Sequence, residues 1–167
     1  MRRFHRLHGP AEFGFAAYVA LYPFCNMEYL DEEDVSDKPI RVFHGVADDW
    51  TPIETVRRYV NKLQRAGKDA ELVEFEGAYH SYDGVGDAKI YVPSVQNPGK
   101  CLYLEQPRGM VINRETSLPD GPEDRCVTLG GTLGYHRAAH EATTAAVTEL
   151  FSRIFELGRT PERLSRA

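Results

Sequence analysis

The spacing of apolar residues along the chain predicts alternating strands and helices. Three short apolar runs predict strands: residues 15–22, 40–44 and 70–75. The first is continuous, which is typical of a strand buried on both faces of a parallel sheet. From residue 53 to 66, apolar side chains recur at helical spacing, with Pro52 at the start, Thr51 as the expected N-cap and Gly67 at the end. Strand, helix and strand in this order indicate a right-handed parallel βαβ unit.

The rest of the chain predicts a loop-rich excursion followed by a last helix. Residues 84–135 contain many Gly, Pro and Asn residues, and a small hairpin is expected there with its turn at Arg108 and Gly109. A helical pattern returns from residue 136 to 157. Its packed face is expected to comprise Ala145, Ala146, Leu150, Phe151, Ile154 and Phe155. We therefore expect one α/β domain over residues 1–167, with the excursion inside it.

Composition excludes several classes of protein. A net charge of −5 and a pI near 5.7 give no basic surface for nucleic acid. No apolar run approaches the roughly 18 residues of a membrane span, and the N-terminus lacks the apolar stretch of a signal peptide. His136 and His140 have metal-binding spacing, but Arg137 stands where a zincin has Glu, which favours a solvated helix end. We expect no metal, cofactor, nucleic-acid or membrane partner; the compartment, cytoplasmic or periplasmic, stays open.

Polar residues that follow two of the predicted strands carry the candidate chemistry. Asp48 and Asp49 follow the strand at 40–44, and His80 follows the strand at 70–75. Because the carboxyl ends of parallel strands meet at one rim of the sheet, we expect these side chains to lie close together. An acid and then a histidine form the second half of the Ser–Asp–His order of α/β-hydrolases. In that chemistry the histidine takes the proton of the nucleophile and the acid fixes the histidine tautomer.

Residues 39–83 contain a series of short motifs in a fixed order. They are His44-Gly45, Asp48 and Pro52 around the first loop, Tyr59-Val60 and Ala66-Gly67 in the helix, and Gly77-Ala78-Tyr79-His80 after the next strand. In this order they resemble the dienelactone hydrolase family of the α/β-hydrolase superfamily, and flanking stretches extend the resemblance over most of the chain. The resemblance implies that Asp48 is the triad acid and His80 the general base. It also implies a partial α/β-hydrolase fold, with about three parallel strands and flanking helices.

The nucleophile of this family is missing from the sequence. Family members carry a Cys or Ser in a G-x-[CS]-x-G elbow upstream of the acid, and no such motif occurs in the 167 residues. Cys25 precedes Asp48 but lacks the elbow glycines, which favours a semi-buried thiol over a nucleophile. Residues 1–9, followed by Pro10, are similar to the tail of the helix that the nucleophile opens. We therefore expect a C-terminal portion of a family member, cut just after its nucleophile.

Three hypotheses about function stay open. The intact parent would hydrolyse a small carboxylic ester or lactone through an acyl-enzyme. The chain alone would instead be an inactive fragment, prone to self-association through an exposed sheet edge. In the third hypothesis it is a subunit whose partner supplies the missing strands and the elbow. Turnover by the purified chain, inactivity, and activity only with a partner distinguish the three.

Several other residues have roles that the sequence leaves open. Trp50 either lines a substrate pocket or covers the edge of the core. The resemblance makes Tyr82 a second pocket candidate, because the family often has an aromatic residue there that packs near the histidine. Asp49 is expected to face solvent or to act as a cap. For Cys101 and Cys126 the resemblance implies a disulfide in an exported parent and free thiols otherwise.

Overall fold

The structure is a computed structural model that describes residues 13–86 and 88–157. Its elements, in chain order, are β1 (Tyr18–Leu21), β2 (Met27–Glu28), β3 (Ile40–Gly45), α1 (Ile53–Arg65), β4 (Ala70–Phe75), β5 (Lys89–Asn97), β6 (Tyr103–Glu105), β7 (Val111–Asn113), β8 (Thr128–Gly134) and α2 (Arg137–Ile154). The helix end that the sequence predicts at residues 1–9 lies outside the described residues. None of the helices in residues 13–86 and 88–157 has the length and apolar character needed to cross a membrane.

The three predicted strands form one parallel sheet. Its order is β1-β3-β4, so β3 is central, and α1 connects β3 to β4. The prediction of an α/β fold with about three parallel strands is confirmed, and the arrangement is consistent with part of an α/β-hydrolase sheet. The first strand differs from expectation. β1 has four half-buried residues instead of a run buried on both faces, because it is one of the two edge strands of the described sheet.

The core lies on both faces of the central strand. Successive side chains of a strand point to opposite faces, so Val42 and Phe43 enter two different clusters. The cluster on the α1 side comprises Val35, Val42, Ile53, Val56, Val60, Leu63 and Ala70. The cluster on the α2 side comprises Phe43, Ala78, Tyr82 and Ala139. Burial of one large apolar side chain contributes about 1.5–3 kcal/mol, so the two clusters hold the carboxyl end of β3 in place.

The ends of α1 follow from the sequence with one exception. Gly67 has a φ of +74°, and the amide of Lys68 donates to the carbonyl of Leu63 at 3.0 Å, which closes the helix in a Schellman motif. The prediction that Thr51 is the N-cap is wrong. Pro52 occupies the N-cap position, and the Thr51 hydroxyl forms hydrogen bonds within the preceding loop.

The excursion contains more strand structure than the sequence predicts. The small hairpin is present: β6 and β7 are antiparallel, and Arg108 and Gly109 turn the chain with φ values of +73° and +80°. A second antiparallel pair, β5 with β8, was not expected. Cys101 and Cys126, in the segment between β5 and β8, form a disulfide.

The last helix packs through part of the predicted face: Leu150 is buried, and Ala146 lies against the cluster on the α2 side. α2 buries the small residues Ala139 and Thr143 together with Leu150. Phe151 and Phe155, which were expected to pack, are 38% and 57% exposed. The contact stripe of this helix therefore combines small residues with Leu150, and the two phenylalanines lie outside it.

Candidate active site

Two rim loops leave the sheet side by side. The acid loop (residues 46–52) follows β3, and the histidine loop (residues 76–83) follows β4. The amide of Ala47 donates to the carbonyl of Ala78 at 3.1 Å and so joins the two loops. Gly45 allows this approach, because a Cβ at its position would overlap the backbone carbonyl of Ala78. The His44-Gly45 motif therefore needs glycine at its second position, because the backbone of Ala78 leaves no room there for a side chain.

The Asp48 carboxylate is buried and accepts hydrogen bonds at both oxygens. Its side chain is 0% exposed. Oδ1 accepts from the backbone amides of Trp50 and Thr51 at 2.9 and 2.8 Å. Oδ2 accepts from the Thr51 hydroxyl at 2.8 Å and lies 2.9 Å from Nδ1 of His80. Burial alone would raise the pKa of Asp48, but the hydrogen bonds with His80 and Thr51 outweigh it and lower that pKa.

His80 is held through its backbone and through one ring nitrogen. Its carbonyl accepts from the amide of Gly134, the last residue of β8, at 3.1 Å. At the ring, an ionised Asp48 can only accept, so Nδ1 of a neutral His80 carries the proton and Nε2 carries the lone pair. The side chain is 19% exposed. The pair therefore has the geometry of a base whose tautomer is fixed by a buried acid.

Two aromatic rings flank the imidazole of His80. The ring centroid of Tyr22 lies 4.5 Å from that of His80, and the centroid of Trp50 lies 5.2 Å away. The polar atoms of both rings are bonded elsewhere: Tyr22 Oη donates to Asp83 Oδ1 at 3.1 Å, and Trp50 Nε1 donates to the Gln96 carbonyl at 3.1 Å. Burial, followed by the Asp83 charge, raises the pKa of Tyr22. The histidine is thus bordered by apolar ring surface.

Tyr82 lies deeper than a pocket wall. Its side chain is fully buried, and its hydroxyl is 2.9 Å from that of Thr143 on α2. Its ring contacts Tyr22 and Phe75 edge-on. Among the rings of the described residues, it is Tyr22 and Trp50 that contact His80. Tyr82 is therefore part of the core beneath the site. The position beside the histidine that was expected for Tyr82 is occupied by Tyr22, which no sequence motif indicated.

A second histidine lies beneath the acid loop. His44 is 0% exposed, its Nε2 is 2.6 Å from the carbonyl oxygen of Thr51, and its Nδ1 is buried without a partner. Because a carbonyl oxygen only accepts, Nε2 carries a proton, and in the neutral ring the unpartnered Nδ1 carries the lone pair. Burial lowers the pKa of His44. His44 thus fixes the Thr51 backbone, whose amide in turn binds Asp48.

The excursion is tied to the acid loop by Asp49. Its carboxylate accepts from the backbone amide of Thr132 at 2.8 Å and from the Thr132 hydroxyl at 2.6 Å. The carbonyl of Asp49 accepts from Asn97 Nδ2 at 2.9 Å. Asp49 is exposed, as the sequence led us to expect, but its carboxylate also bonds to a strand 83 positions along the chain, which the sequence did not indicate. Gly131 lies against the Trp50 ring.

A comparison with protein families decides the assignment. The model of the dienelactone hydrolase family matches residues 7–155. The chain belongs to the dienelactone hydrolase family. The resemblance that the motifs of residues 39–83 indicated is thereby confirmed. No curated protein sequence matches this family member.

Solved structures similar to this dienelactone hydrolase family member come from an esterase of Thermogutta terrifontis. Esterase 2 phosphoramylated by tabun shares 41% identity over 30% of this chain and 19% of its own, with a TM-score of 0.29. The propionate-bound form shares 43% identity over 29% and 18% of the two chains, with a TM-score of 0.28. The native form shares 23% identity over 75% and 28%, with a TM-score of 0.38. The chain thus covers less than a third of the length of each of these esterases.

The cysteines of this family member are poorly suited to act as its nucleophile. Burial raises the pKa of Cys25 to about 11, so its thiol is protonated at neutral pH. Cys101 is bonded to Cys126 and has no free thiol. Within the described residues, no three His, Cys, Asp or Glu side chains are grouped as metal ligands would be. Asp48 and His80 are the chemical groups that the two rim loops bring together.

Proposed function

We propose that Asp48 and His80 are the acid and the general base of a carboxylic ester or lactone hydrolase. The observation that carries the proposal is the 2.9 Å contact between Asp48 Oδ2 and His80 Nδ1, made by a carboxylate that is 0% exposed. A lone surface pair would be weak support, since exposed ion pairs form easily. Here four groups converge on one buried carboxylate, and membership of the dienelactone hydrolase family supports the same roles.

The proposed chemistry is acyl transfer in two steps. Nε2 of His80 takes the proton of a Cys or Ser nucleophile as it attacks the ester carbonyl carbon, and the resulting imidazolium is stabilised by Asp48. The imidazolium then gives that proton to the departing alkoxide, leaving an acyl-enzyme. Water, deprotonated by His80, attacks the acyl group, and the carboxylic acid leaves as the nucleophile recovers its proton. In a lactone the alcohol and the acid are parts of one product.

The nucleophile in this proposal is supplied by residues other than these 167. No Cys or Ser of the 167 residues stands in a G-x-[CS]-x-G motif, and burial raises the pKa of the Cys25 thiol. The alternative is a catalytically inactive fragment or a complementing subunit. The lack of an elbow in the sequence favours that alternative for the chain by itself, and self-association would occur at an edge strand of the described sheet, β1 or β4.

A complementation assay tests the proposal. The purified chain is mixed with the elbow-bearing N-terminal part of a family member, and hydrolysis of p-nitrophenyl butyrate is followed. We expect turnover only in the mixture and its loss with His80→Gln, while Asp69→Asn, which changes an exposed acid paired with Arg41, preserves it. Turnover by the chain alone would contradict the external nucleophile. Activity in the mixture that survives His80→Gln would contradict the proposed base, and an inactive mixture would favour the inactive fragment.

A further inference from the structure

Strand β8 contacts both rim loops within three residues. Thr132 bonds to the carboxylate of Asp49 in the acid loop through its amide and its hydroxyl, at 2.8 and 2.6 Å. Two residues later, the amide of Gly134 donates to the carbonyl of His80 at 3.1 Å. Alternate residues of a strand share a side, so one short segment of β8 bridges the loop of the acid and the loop of the base. A shift of β8 would move the two loops relative to each other.

The partner strand β5 adds two contacts to the same loop. Asn97 Nδ2 donates to the carbonyl of Asp49 at 2.9 Å and to the carbonyl of Gly130 at 2.7 Å. Gln96 accepts the indole N–H of Trp50 at 3.1 Å. Asn97 is buried, and its amide joins the acid loop to β8 directly. The β5–β8 pair therefore bonds to the acid loop at three groups: the carboxylate of Asp49, the carbonyl of Asp49 and the indole of Trp50.

We propose that Asp49 is a positioning residue, which holds Asp48 and His80 at hydrogen-bonding distance by anchoring the acid loop to β8. The inference rests on the proposed function for its meaning in catalysis. The anchor consists of two hydrogen bonds from Thr132, one to each carboxylate oxygen, which together fix the orientation of the Asp49 side chain. Misplacement of a catalytic group by about 1 Å costs on the order of 100-fold in rate, so a small slip of this anchor matters.

The test uses the tautomer of His80 as its readout. In the full chain with ¹⁵N-labelled histidine, long-range ¹H–¹⁵N spectra at neutral pH distinguish Nδ1–H from Nε2–H. We expect Asp49→Ala to convert a single Nδ1–H form into a mixture of tautomers. Asp49→Asn should retain the single form, because its amide oxygen accepts from the Thr132 amide while its NH₂ donates to the Thr132 hydroxyl. If Asp49→Ala acted only by destabilising the whole fold, the single Nδ1–H form would not depend on these two hydrogen bonds, and Asp49→Asn would not be expected to restore it.

Matched variants separate positioning from folding. Asp69→Ala removes an exposed carboxylate, bonded to Arg41 at 2.8 Å, beside the first residue of β4 and away from the rim loops. It should leave the His80 tautomer unchanged. If Asp49→Ala fails to fold, Thr132→Val replaces it, since it loses one of the two bonds, and Thr132→Ser is its control. An unchanged tautomer in Asp49→Ala or Thr132→Val, or an equal change in Asp69→Ala, would overturn the proposal.

The readout also keeps the two proposals apart. The tautomer depends on the contact between Asp48 and His80, and it is measured without substrate or nucleophile. If Asp49→Ala leaves the tautomer unchanged while Asp48→Asn changes it, positioning by Asp49 is refuted and the hydrolase proposal stands. If Asp49→Ala changes the tautomer but the complementation mixture hydrolyses no ester, the anchor is supported and the hydrolase proposal fails.

Discussion

Oδ2 of Asp48 lies 2.9 Å from Nδ1 of His80, although 32 positions separate the two residues. The separation is what one strand-helix-strand unit requires, because α1 and β4 return the chain to the rim of the sheet from which it left. Oδ1 of the same carboxylate is committed to two backbone amides, from Trp50 and Thr51. The side chain of Asp48 therefore has a fixed orientation, with Oδ2 toward the imidazole.

This fixed orientation makes Asp48→Asn a specific test. The new amide must place its oxygen at the Oδ1 position to accept from the two backbone amides, so its NH₂ takes the place of Oδ2. That NH₂ donates toward His80 Nδ1, and we expect the imidazole to reverse to the Nε2–H tautomer. In the complemented enzyme kcat should fall by about 10³–10⁴-fold, since Nε2 no longer carries the lone pair. Histidine ¹⁵N spectra and initial rates measure the two effects.

The control for this variant is its stability. The amide keeps both backbone bonds, and the Thr51 hydroxyl can turn from Asp48 to the carbonyl of Tyr22, 3.3 Å away. We therefore expect a cooperative unfolding transition as in the wild type. A folded Asp48→Asn chain in which His80 retains the Nδ1–H form would contradict the proposed role of Asp48.

The elements around the site differ in how well the sequence predicts them. The sequence predicted β3, α1 and β4 because their signals are local. The helix has a helical apolar period bounded by Pro52 and Gly67, and each strand is a short apolar run. β5 and β8 were not, since their apolar alternation is weak and their pairing joins segments far apart in the chain. The register of this pair also shifts between Val92 and Gln96. Such pairing is decided by tertiary contacts, which no local pattern records.

The site shows the same division between local and distant signals. Asp48 and His80 follow predicted strands, so the sequence predicted that they lie close together, as they do. Tyr22 follows β1 directly and has a φ of +40°, and nothing in its neighbourhood indicates the contact with His80. The role of Asp49 was also hidden, because Thr132, its partner, belongs to a strand that the sequence did not predict.

His44 should make the stability of the chain depend on pH below neutrality. Burial lowers its pKa in the folded chain, whereas an unfolded histidine has a pKa of about 6.5. Below that value the unfolded state binds the extra proton, so the contribution of His44 to stability is present above about 6.5 and is lost as pH falls toward the folded pKa. In His44→Gln the side-chain amide can still donate to the Thr51 carbonyl, and we expect a shallower decline.

Chemical denaturation at pH 7.5 and 5.5 measures this difference. The free energy of unfolding should fall more between the two pH values in the wild type than in His44→Gln. His140→Gln, which changes a histidine packed against Tyr135, serves as the matched control. Equal declines in the wild type and His44→Gln would show that another group governs the acid sensitivity.

Gly45→Ala should separate the two rim loops. The added methyl group would overlap the carbonyl of Ala78, which is backbone and cannot rotate away. We expect the free energy of unfolding to fall by more than about 2 kcal/mol and the His80 tautomer to become mixed. Gly121→Ala is the matched control, because a Cβ there has no atom within 4 Å. If both variants unfold at the same denaturant concentration, the contact between Gly45 and Ala78 does not hold the loops together.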